Sequence, residues 1–321
     1  MSKAFLGIDT SMYTTSAAVL DEEGRILFEE RRLLEVPPGK RGLQQSAAVF
    51  AHIRALPEIL EGVRGLSLDL AAVAYSGKPR PLPDSYMPVF KAGEASARSI
   101  AAVLEIPAYP VSHQENHLGA ALWSEKMDLQ EPVLFLHLSG GTTEILRAEP
   151  RKVGRGFSMT LLGCSQDISA GQLLDRIGVS MGLPFPAGPF MEELSRSWRE
   201  GQVGNPPNPL KVCEKNGNLF FSGLETRLSK ILSQGQMEPG EAAAHLEDII
   251  ARSLLQGIGR ARQSSPVETI IIAGGVAANL RIREILQKEL PADVLVFPDA
   301  RYCGDHALGV AYLAKRMYEK S

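Results

Sequence analysis

The amino-acid sequence alternates short apolar runs with longer segments in which apolar residues recur about every 3.6 positions. The short runs predict buried strands, and the periodic segments predict helices. The predicted strands are residues 4–8, 17–20, 26–29, 133–136, 145–146, 269–272 and 294–297. The predicted helices are residues 44–60, 89–104, 113–123, 169–181, 223–232, 240–263, one from about 278, and 305–318. Strands that alternate with helices indicate an α/β fold.

One arrangement occurs twice, namely a buried strand, a loop of small residues and a second strand. In the first copy the loop contains Asp9-Thr10-Ser11, and in the second copy it is Ser139-Gly140-Gly141-Thr142-Thr143. The repeat is typical of a duplicated domain, although two unrelated hairpins would give the same pattern.

Composition and charge limit the class of protein. The chain has 321 residues, enough for two domains, with 44% hydrophobic and 22% charged residues, as in globular proteins. Its net charge of −3 excludes a global basic field for nucleic acid but leaves room for local patches. Three cysteines without a C-x-x-C pair argue against a disulfide framework. No signal peptide and no apolar run of ~20 residues is visible, so we expect a cytoplasmic protein without membrane contact.

The segment Ser-His-Gln-Glu-Asn-His places two histidines one helical turn apart. Ser112 followed by Glu115 is a capping-box pattern, so we expect a helix to begin at this serine. His113 and His117 then share one face, and two imidazoles at this spacing can bind one metal ion. The alternative is a pair of half-exposed surface histidines. A zincin-type protease needs Glu directly after the first His, and Gln114 occupies that position, so a protease is disfavoured.

A third ligand for such an ion has to come from a distant part of the chain. Asp305 stands at the start of the predicted last helix, where its alternative role is an ordinary N-cap. His137 interrupts an apolar strand, where a buried ring needs a polar partner. The alternative for His137 is a core histidine whose hydrogen bonds are satisfied.

Two glycine-rich loops are candidates for phosphate binding. Residues 139–143 present backbone N–H groups without bulky side chains, and Gly274-Gly275 lies between a strand and a helix. Neither loop fits the P-loop or the dinucleotide fingerprint, so each is a weak signal alone. Together with Asp9-Thr10-Ser11 they form a constellation.

This constellation and its neighbouring motifs resemble the TsaD family, the threonylcarbamoyl transferases of tRNA modification that were formerly called glycoproteases. The motifs that carry the resemblance are Gly7-Ile8-Asp9-Thr10-Ser11, His113-Gln114-Glu115-Asn116-His117-Leu118, Leu138-Ser139-Gly140-Gly141, Gly171-Gln172-Leu173-Leu174-Asp175-Arg176, Phe185-Pro186-Ala187-Gly188-Pro189, Phe221-Ser222-Gly223-Leu224, Ala273-Gly274-Gly275-Val276-Ala277-Ala278-Asn279 and Cys303-Gly304-Asp305-His306. Their common order along nearly the whole chain makes the resemblance specific.

The resemblance implies a duplicated actin/Hsp70-like (ribonuclease H-like) α/β fold of two domains, with the nucleotide and the metal in the interdomain cleft. We expect residues 1–112 plus 306–321 to form the N-terminal lobe. Residues 113–305 would form the second lobe, with a helical insertion at about 165–265.

The resemblance also implies the roles of site residues. His113, His117 and Asp305 would bind one divalent metal, iron or zinc, and archaeal relatives carry a metal-proximal Tyr at the position of His137, which makes this His a further candidate ligand. ATP or an adenylate would be the other ligand. The residues implied to bind it are Leu138, Ser139, Gly140, Gly141, Asp175, Gly188, Gly274, Gly275 and Asn279, with Asp9, Thr10 and Ser11 on the phosphate side.

The chain departs from the family pattern at several positions. Tyr13 and Thr14 stand where the family has two acidic residues, and residues 77–88 replace a loop rich in Gly and Pro. The other departures are Thr142 for His or Asn, Gln172 for Glu and Glu225 for Lys. They indicate a paralogue rather than the housekeeping enzyme.

Three hypotheses for the function remain open. The first is transfer of a threonylcarbamoyl group from threonylcarbamoyl-adenylate to N6 of adenosine in tRNA. The second keeps the donor and changes the acceptor, and the third is a non-catalytic nucleotide-binding partner of a true TsaD. Contact with RNA would depend on Lys40, Arg41, Lys78 and Arg80, and other subunits of a TsaD system or a second copy of this chain are further candidate partners. No residue is identified as a general base.

Overall fold

Two mixed β-sheets of five strands each organise the computed structural model, which describes residues 2–11, 13–36, 43–151, 155–202, 210–211, 214–291 and 295–320. The first sheet contains β1 (Lys3–Ser11), β2 (Thr14–Asp21), β3 (Ile26–Leu33), β4 (Asp69–Lys78) and β5 (Ala108–Ser112). The second contains β6 (Val133–Leu138), β7 (Thr143–Pro150), β8 (Phe157–Cys164), β11 (Ile270–Ala273) and β12 (Leu295–Val296). A small separate ribbon is formed by β9 (Glu214–Lys215) and β10 (Asn218–Leu219).

The two sheets have the same topology. Their strand orders are β3-β2-β1-β4-β5 and β8-β7-β6-β11-β12. In each, three consecutive strands form an antiparallel meander, and two later strands add in parallel beside the first strand of that meander. The predicted duplication within an α/β fold is therefore confirmed.

Helices cover both sheets within the described residues. They are α1 (Gln45–Glu61), α2 (Phe90–Leu104), α3 (His113–Ser124), α4 (Ala170–Ser180), α5 (Gly188–Glu200), α6 (Ser222–Ser233), α7 (Pro239–Ser264), α8 (Leu280–Glu289) and α9 (Leu308–Glu319). Among them, none combines the length and the apolar content that a membrane crossing needs.

Helix α3 lies in the middle of the molecule. It packs against β4 and β5 of the first sheet, β6 and β11 of the second, and α9. A Cβ on Gly309 of α9 would lie 2.0 Å from the carbonyl oxygen of Asn116, so only glycine allows the two helices to approach this closely. As a result α3 is buried from Gln114 to Leu122, and its first turn is held at the junction of the two sheets.

The last helix begins later than predicted. Residues 305–318 were expected, whereas α9 spans Leu308–Glu319 and its N-cap is Ala307. Asp305 is therefore not an N-cap, because its carboxylate is drawn instead toward His113, His117 and Ser11.

Several elements have no counterpart among the predicted ones. Strand β4 is rich in alanine and β5 contains a proline, so both have a weak strand pattern. The alternation of apolar and polar residues at the start of β8 is a strand signal that the sequence analysis missed. Helix α5 opens on Gly-Pro within a loop-like sequence, which hid its helical spacing.

The domain division stays a prediction. Helix α9 packs on β1, β2 and β4, and the predicted helical insertion at about 165–265 contains α4 to α7. Both facts accord with the expected lobes, while the exact boundaries at 112/113 and 305/306 remain expectations.

Candidate metal centre and nucleotide cleft

The carboxyl ends of parallel strands from both sheets meet at one site. In the first sheet these ends are Asp9–Ser11 of β1, the segment after β4, and Ser112 of β5, which leads into α3. In the second sheet they are His137-Leu138 of β6 and Ala273 of β11, which lie side by side. In α/β sheets this edge is where ligands bind.

The first turn of α3 is fixed by the predicted capping box. Ser112 Oγ accepts a hydrogen bond from the Glu115 N–H at 3.2 Å, and Glu115 Oε2 accepts one from the Ser112 N–H at 2.8 Å. The second carboxylate oxygen of Glu115 accepts the N–H of Phe157 on β8 at 3.2 Å. The turn is thereby tied to the second sheet, which sets the direction of the two histidines that follow it.

His113, His117 and Asp305 converge on one point. The Nε2 atoms of the two histidines are 3.2 Å apart, and Asp305 Oδ1 lies 3.4 Å from Nε2 of His113 and 3.2 Å from Nε2 of His117. A tetrahedral ion with ligand bonds of about 2.0–2.1 Å spaces its ligand atoms roughly 3.3–3.4 Å apart. The donor set and its spacing therefore fit a divalent metal.

His137 faces the same point from β6. One ligand atom from each of His113, His117 and His137 lies within 4.8 Å of the others, the one such metal-capable group found among the described residues. Both ring nitrogens of His137 are buried and have no hydrogen-bond partner in the described part of the chain. An unpaired buried polar atom costs about 1–3 kcal/mol, a cost that a bound cation would remove. A core histidine with satisfied hydrogen bonds, the alternative considered above, does not describe this side chain.

Asp9 and Ser11 orient the cluster. Asp9 Oδ1 lies 3.1 Å from Nδ1 of His113, so a proton on Nδ1 can be donated to the carboxylate and Nε2 stays directed at the cluster. Ser11 Oγ donates to Asp305 Oδ2 at 3.0 Å, which leaves Oδ1 toward the histidines. Asp9 was predicted to lie on the phosphate side of the site. In the structure it contacts Nδ1 of His113, the ring nitrogen that points away from the cluster.

The electrostatics of the cluster suit a cation. Burial lowers the pKa of His113, but the charges of Asp9 and Asp305 outweigh it and raise that pKa to about 10. Burial, together with the charge of His113, lowers the pKa of His117 and of His137. Burial would raise the pKa of Asp305, yet His113 and His117 hold it well below its usual range. The site thus offers two neutral imidazoles, one carboxylate and one proton that a metal would displace.

The two glycine-rich loops lie back to back beside this cluster. Gly274 has φ +103, and a Cβ on it would lie 2.4 Å from the carbonyl oxygen of Leu138. The Ser139 N–H donates to the Thr142 carbonyl at 2.8 Å, which closes a turn. A Cβ would meet nothing within 4 Å at Gly140, Gly141 and Gly275 of these loops, or at Gly188, the first residue of α5. Open space therefore adjoins the backbone of this region.

Asp175 and Asn279 both stabilise turns next to this space. Asp175 Oδ1 accepts the Ala187 N–H at 2.7 Å. Asn279 caps α8 by accepting the Ile282 N–H at 2.9 Å, and its Nδ2 donates to Glu247 Oε1 at 2.7 Å. Sequence reasoning missed Glu247, although helical spacing places this carboxylate on the apolar face of α7.

Comparison with known proteins identifies the family. The family model described as tRNA N6-adenosine threonylcarbamoyltransferase matches residues 66–312. The chain belongs to the TsaD family.

Relatives with that same description match over the full chain. The protein of Streptococcus mutans is 30% identical and covers 100% of this chain and 94% of the relative. The protein of Methanopyrus kandleri is 30% identical, and the match covers 98% of this chain and 87% of the relative. TsaD relatives thus extend to both ends of the sequence at about this level of identity.

Solved structures of other families share the fold. Component A of (R)-2-hydroxyglutaryl-CoA dehydratase from Acidaminococcus fermentans superposes with a TM-score of 0.59 at 17% identity, covering 99% of each chain. A ROK family glucokinase from Streptomyces griseus, in complex with glucose and AMPPNP, superposes with a TM-score of 0.53 at 17% identity. The match covers 97% of this chain and 98% of the glucokinase. These likenesses establish the duplicated actin/Hsp70-like two-domain fold of this TsaD-family chain and nothing about its ligands.

Two of the departures from the TsaD pattern contact distant parts of the chain. The ring of Tyr13 contacts Phe185, with centroids 5.3 Å apart, and so reaches from the first sheet to the turn before α5. Arg80, in the altered segment 77–88, forms an ion pair with Glu144 on β7. Two residues that distinguish this chain therefore bridge the cleft, while Lys40 and Arg41, the other basic residues considered for RNA contact, lie outside the described residues.

The acidic partners in the site were not predicted as such. Glu144 is a charged residue near the start of β7, directly after the Gly-Gly loop, and its position beside that loop is the signal that could have indicated it. Asp9 and His113 are 104 positions apart, and no local pattern connects them.

Proposed function

We propose that this protein transfers a threonylcarbamoyl group from an adenylate donor to the N6 amine of an adenosine in tRNA, with one divalent metal, iron or zinc. The observation that carries the proposal is the convergence of His113, His117 and Asp305 at the meeting edge of the two sheets. The activity for which the TsaD relatives are named supports the same reaction. Because the acceptor is a tRNA, we expect the reaction to occur in the cytoplasm.

The ligands of the metal would be His113, His117 and Asp305, with His137 as a fourth. When bound, the metal supplies a positive charge that stabilises the phosphate leaving group and polarises the carbamoyl carbonyl. Asp9 holds the ring of His113 in the tautomer that presents Nε2.

The donor nucleotide would occupy the space along the glycine-rich loops. Gly140, Gly141 and Gly275 leave their backbone open to a phosphate, and Asp175, Gly188 and Asn279 line the nucleoside side. In the reaction the N6 nitrogen forms a bond to the carbamoyl carbon, the bond from that carbon to the phosphate oxygen breaks, and AMP leaves. The N6 proton passes to the leaving phosphate or to water, since no side chain in the cluster is placed as its base.

A second candidate function keeps this donor and changes the acceptor to a small molecule or another RNA. Tyr13 against Phe185 and Arg80 against Glu144 favour it, because both contacts narrow the cleft with residues that the family pattern lacks. The first candidate, with tRNA as the acceptor, stays the main proposal. The proposed partners are the helper subunits of a TsaD system or a second copy of this chain.

The first test is metal content followed by transfer. The purified protein should hold about one equivalent of metal, and the His113→Ala/His117→Ala variant should hold none, whereas His245→Ala, a buried histidine on α7, should keep it. Labelled threonylcarbamoyl-adenylate and tRNA are then supplied with the other TsaD-system subunits. Label on tRNA supports the first function, and metal without label on tRNA supports another acceptor. Nucleotide binding by a metal-free wild type would overturn both and leave a non-catalytic partner.

A further inference from the structure

The segment after β4 is built onto the first turn of α3. The Pro79 carbonyl accepts the Gln114 N–H at 3.1 Å, next to His113. Within the segment, the Arg80 N–H donates to Ser85 Oγ at 2.9 Å, and Lys78 Nζ donates to the Leu82 carbonyl at 3.1 Å. The backbone at Arg80 is thus held in place beside the candidate metal ligands.

The side chain of Arg80 reaches the second sheet. Its Nη2 forms an ion pair with Oε1 of Glu144, whose side chain is only 4% exposed. Glu144 Oε2 accepts a second hydrogen bond, from Nε2 of Gln114. Both carboxylate oxygens are therefore occupied, and the guanidinium is fixed at one end.

This guanidinium stands close to the histidine cluster. Glu144 is paired directly opposite His137 across β6 and β7, so the two side chains share one face of the sheet. Gln114, the other partner of Glu144, follows His113 on α3. Arg80 is anchored to Glu144 and therefore belongs to the wall of the same cleft.

The rest of the guanidinium is available to a ligand. The side chain of Arg80 is 49% exposed, and Glu144 is its one polar side-chain partner among the described residues. A guanidinium carries five N–H donors in a planar fork that matches a carboxylate or a phosphate. A pre-positioned fork loses little conformational freedom when it binds such a group.

We propose that Arg80 is a specificity-determining residue that binds an oxyanion of the acyl donor, either the carboxylate of its amino-acid part or the phosphate of its adenylate. The inference rests on the proposed function, since that function supplies the donor. The altered segment 77–88 would then select an anionic donor beside the candidate metal ligands.

Calorimetric binding to the full chain tests this inference with two matched probe pairs. N-carbamoyl-L-threonine and its methyl ester differ in the carboxylate, and AMP and adenosine differ in the phosphate. Arg80→Gln should weaken one anionic probe about 10- to 100-fold and leave its neutral counterpart within about twofold. Arg80→Lys should recover part of the loss, and the pair that responds identifies the oxyanion.

Two further variants keep the test decisive. Arg98→Gln removes an exposed arginine from α2, where it pairs with Glu94, and should change no probe. If Arg80→Gln unfolds because Glu144 is left unpaired, Arg80→Gln/Glu144→Gln removes that charge and must give the same selective loss.

The outcomes separate the inference from the proposed function. Unchanged preference for both anionic probes in Arg80→Gln, or no binding of either by the wild type, overturns the inference. Wild-type transfer to tRNA judges the proposed function independently, so either can fail while the other stands.

Discussion

The two halves of the molecule repeat one topology and use it for different chemistry. In the first sheet the hairpin between β1 and β2 stays paired up to Ser11 and Thr14, and its contribution to the site is the side chains Asp9 and Ser11. In the second sheet pairing ends at Leu138 and Thr143, and the wider loop presents glycine backbone. The tight hairpin supplies side chains that orient candidate metal ligands, and the wide one supplies open glycine backbone. Loop length, rather than strand order, therefore separates the roles of the duplicated halves.

The largest effect expected is at the close contact of the second half. Gly274→Ala forces a Cβ into the carbonyl of Leu138 at positive φ, so we expect a loss of about 2–5 kcal/mol in the free energy of unfolding. Gly275→Ala, which meets nothing within 4 Å, should keep the stability and weaken nucleotide binding. Urea unfolding and nucleotide titration measure the two effects. An equal loss of stability in both variants would contradict the inference that the backbone of Gly275 is open to a nucleotide while that of Gly274 is packed.

The side-chain role of the first half is tested by Asp9→Asn. The amide oxygen can still accept from Nδ1 of His113 but carries no charge, so metal affinity should fall about 10- to 100-fold. Competition with a chelator measures the affinity. Asp21→Asn, a buried acid of the same sheet that binds Arg25, is the matched control and should leave the affinity unchanged.

His137 lies on β6 of the second half and faces His113 and His117. The effect of replacing it on the free energy of unfolding should change sign when metal is bound. In the metal-free protein His137→Leu removes two unpaired buried nitrogens and should stabilise the fold by about 1 kcal/mol. In the metal-loaded protein the same change should lower stability, because a ligand is lost. Urea unfolding with and without a chelator checks both signs, and destabilisation in both states would contradict a role as ligand.

A pH dependence of stability is expected at Glu247. Burial raises its pKa to about 7, although hydrogen bonds from Asn279 and Ser195 oppose the shift. A raised folded-state pKa stabilises the protein below the unfolded-state value of about 4.5, and this contribution is lost as pH rises through about 7. Glu247→Gln should therefore remove a decline in unfolding free energy between about pH 4.5 and pH 7, of at most about 1.4 kcal/mol per pH unit. Glu284→Gln, exposed on α8, should keep that decline.

Contacts between residues close in the sequence could be predicted, and contacts between residues far apart in the sequence could be predicted only in part. The capping box of Ser112 and Glu115 and the pairing of His113 with His117 on one face depend on residues within one turn, so their spacing determines them. The start of α9 was misplaced because Asp305 is held by partners that are 188 or more positions away in the sequence.

The anchoring of Arg80 could not be predicted for a similar reason. Its partner Glu144 lies on the other sheet, and neither sequence neighbourhood indicates the other. The alanine-rich β4, which directs Arg80 into the cleft, was missed because its strand character comes from burial between neighbours rather than from β-branched residues.

The contact between the first strand and the last helix has a consequence for how the protein is made. A Cβ on Gly7 of β1 would lie 2.3 Å from the backbone nitrogen of Ala311, so the first of the described strands is covered by the last of the described helices. Asp305 lies three residues before the first residue of that helix, Leu308. Both histidines are therefore synthesised long before the carboxylate that lies beside them, and the set of candidate ligands is complete only after Asp305 has been added.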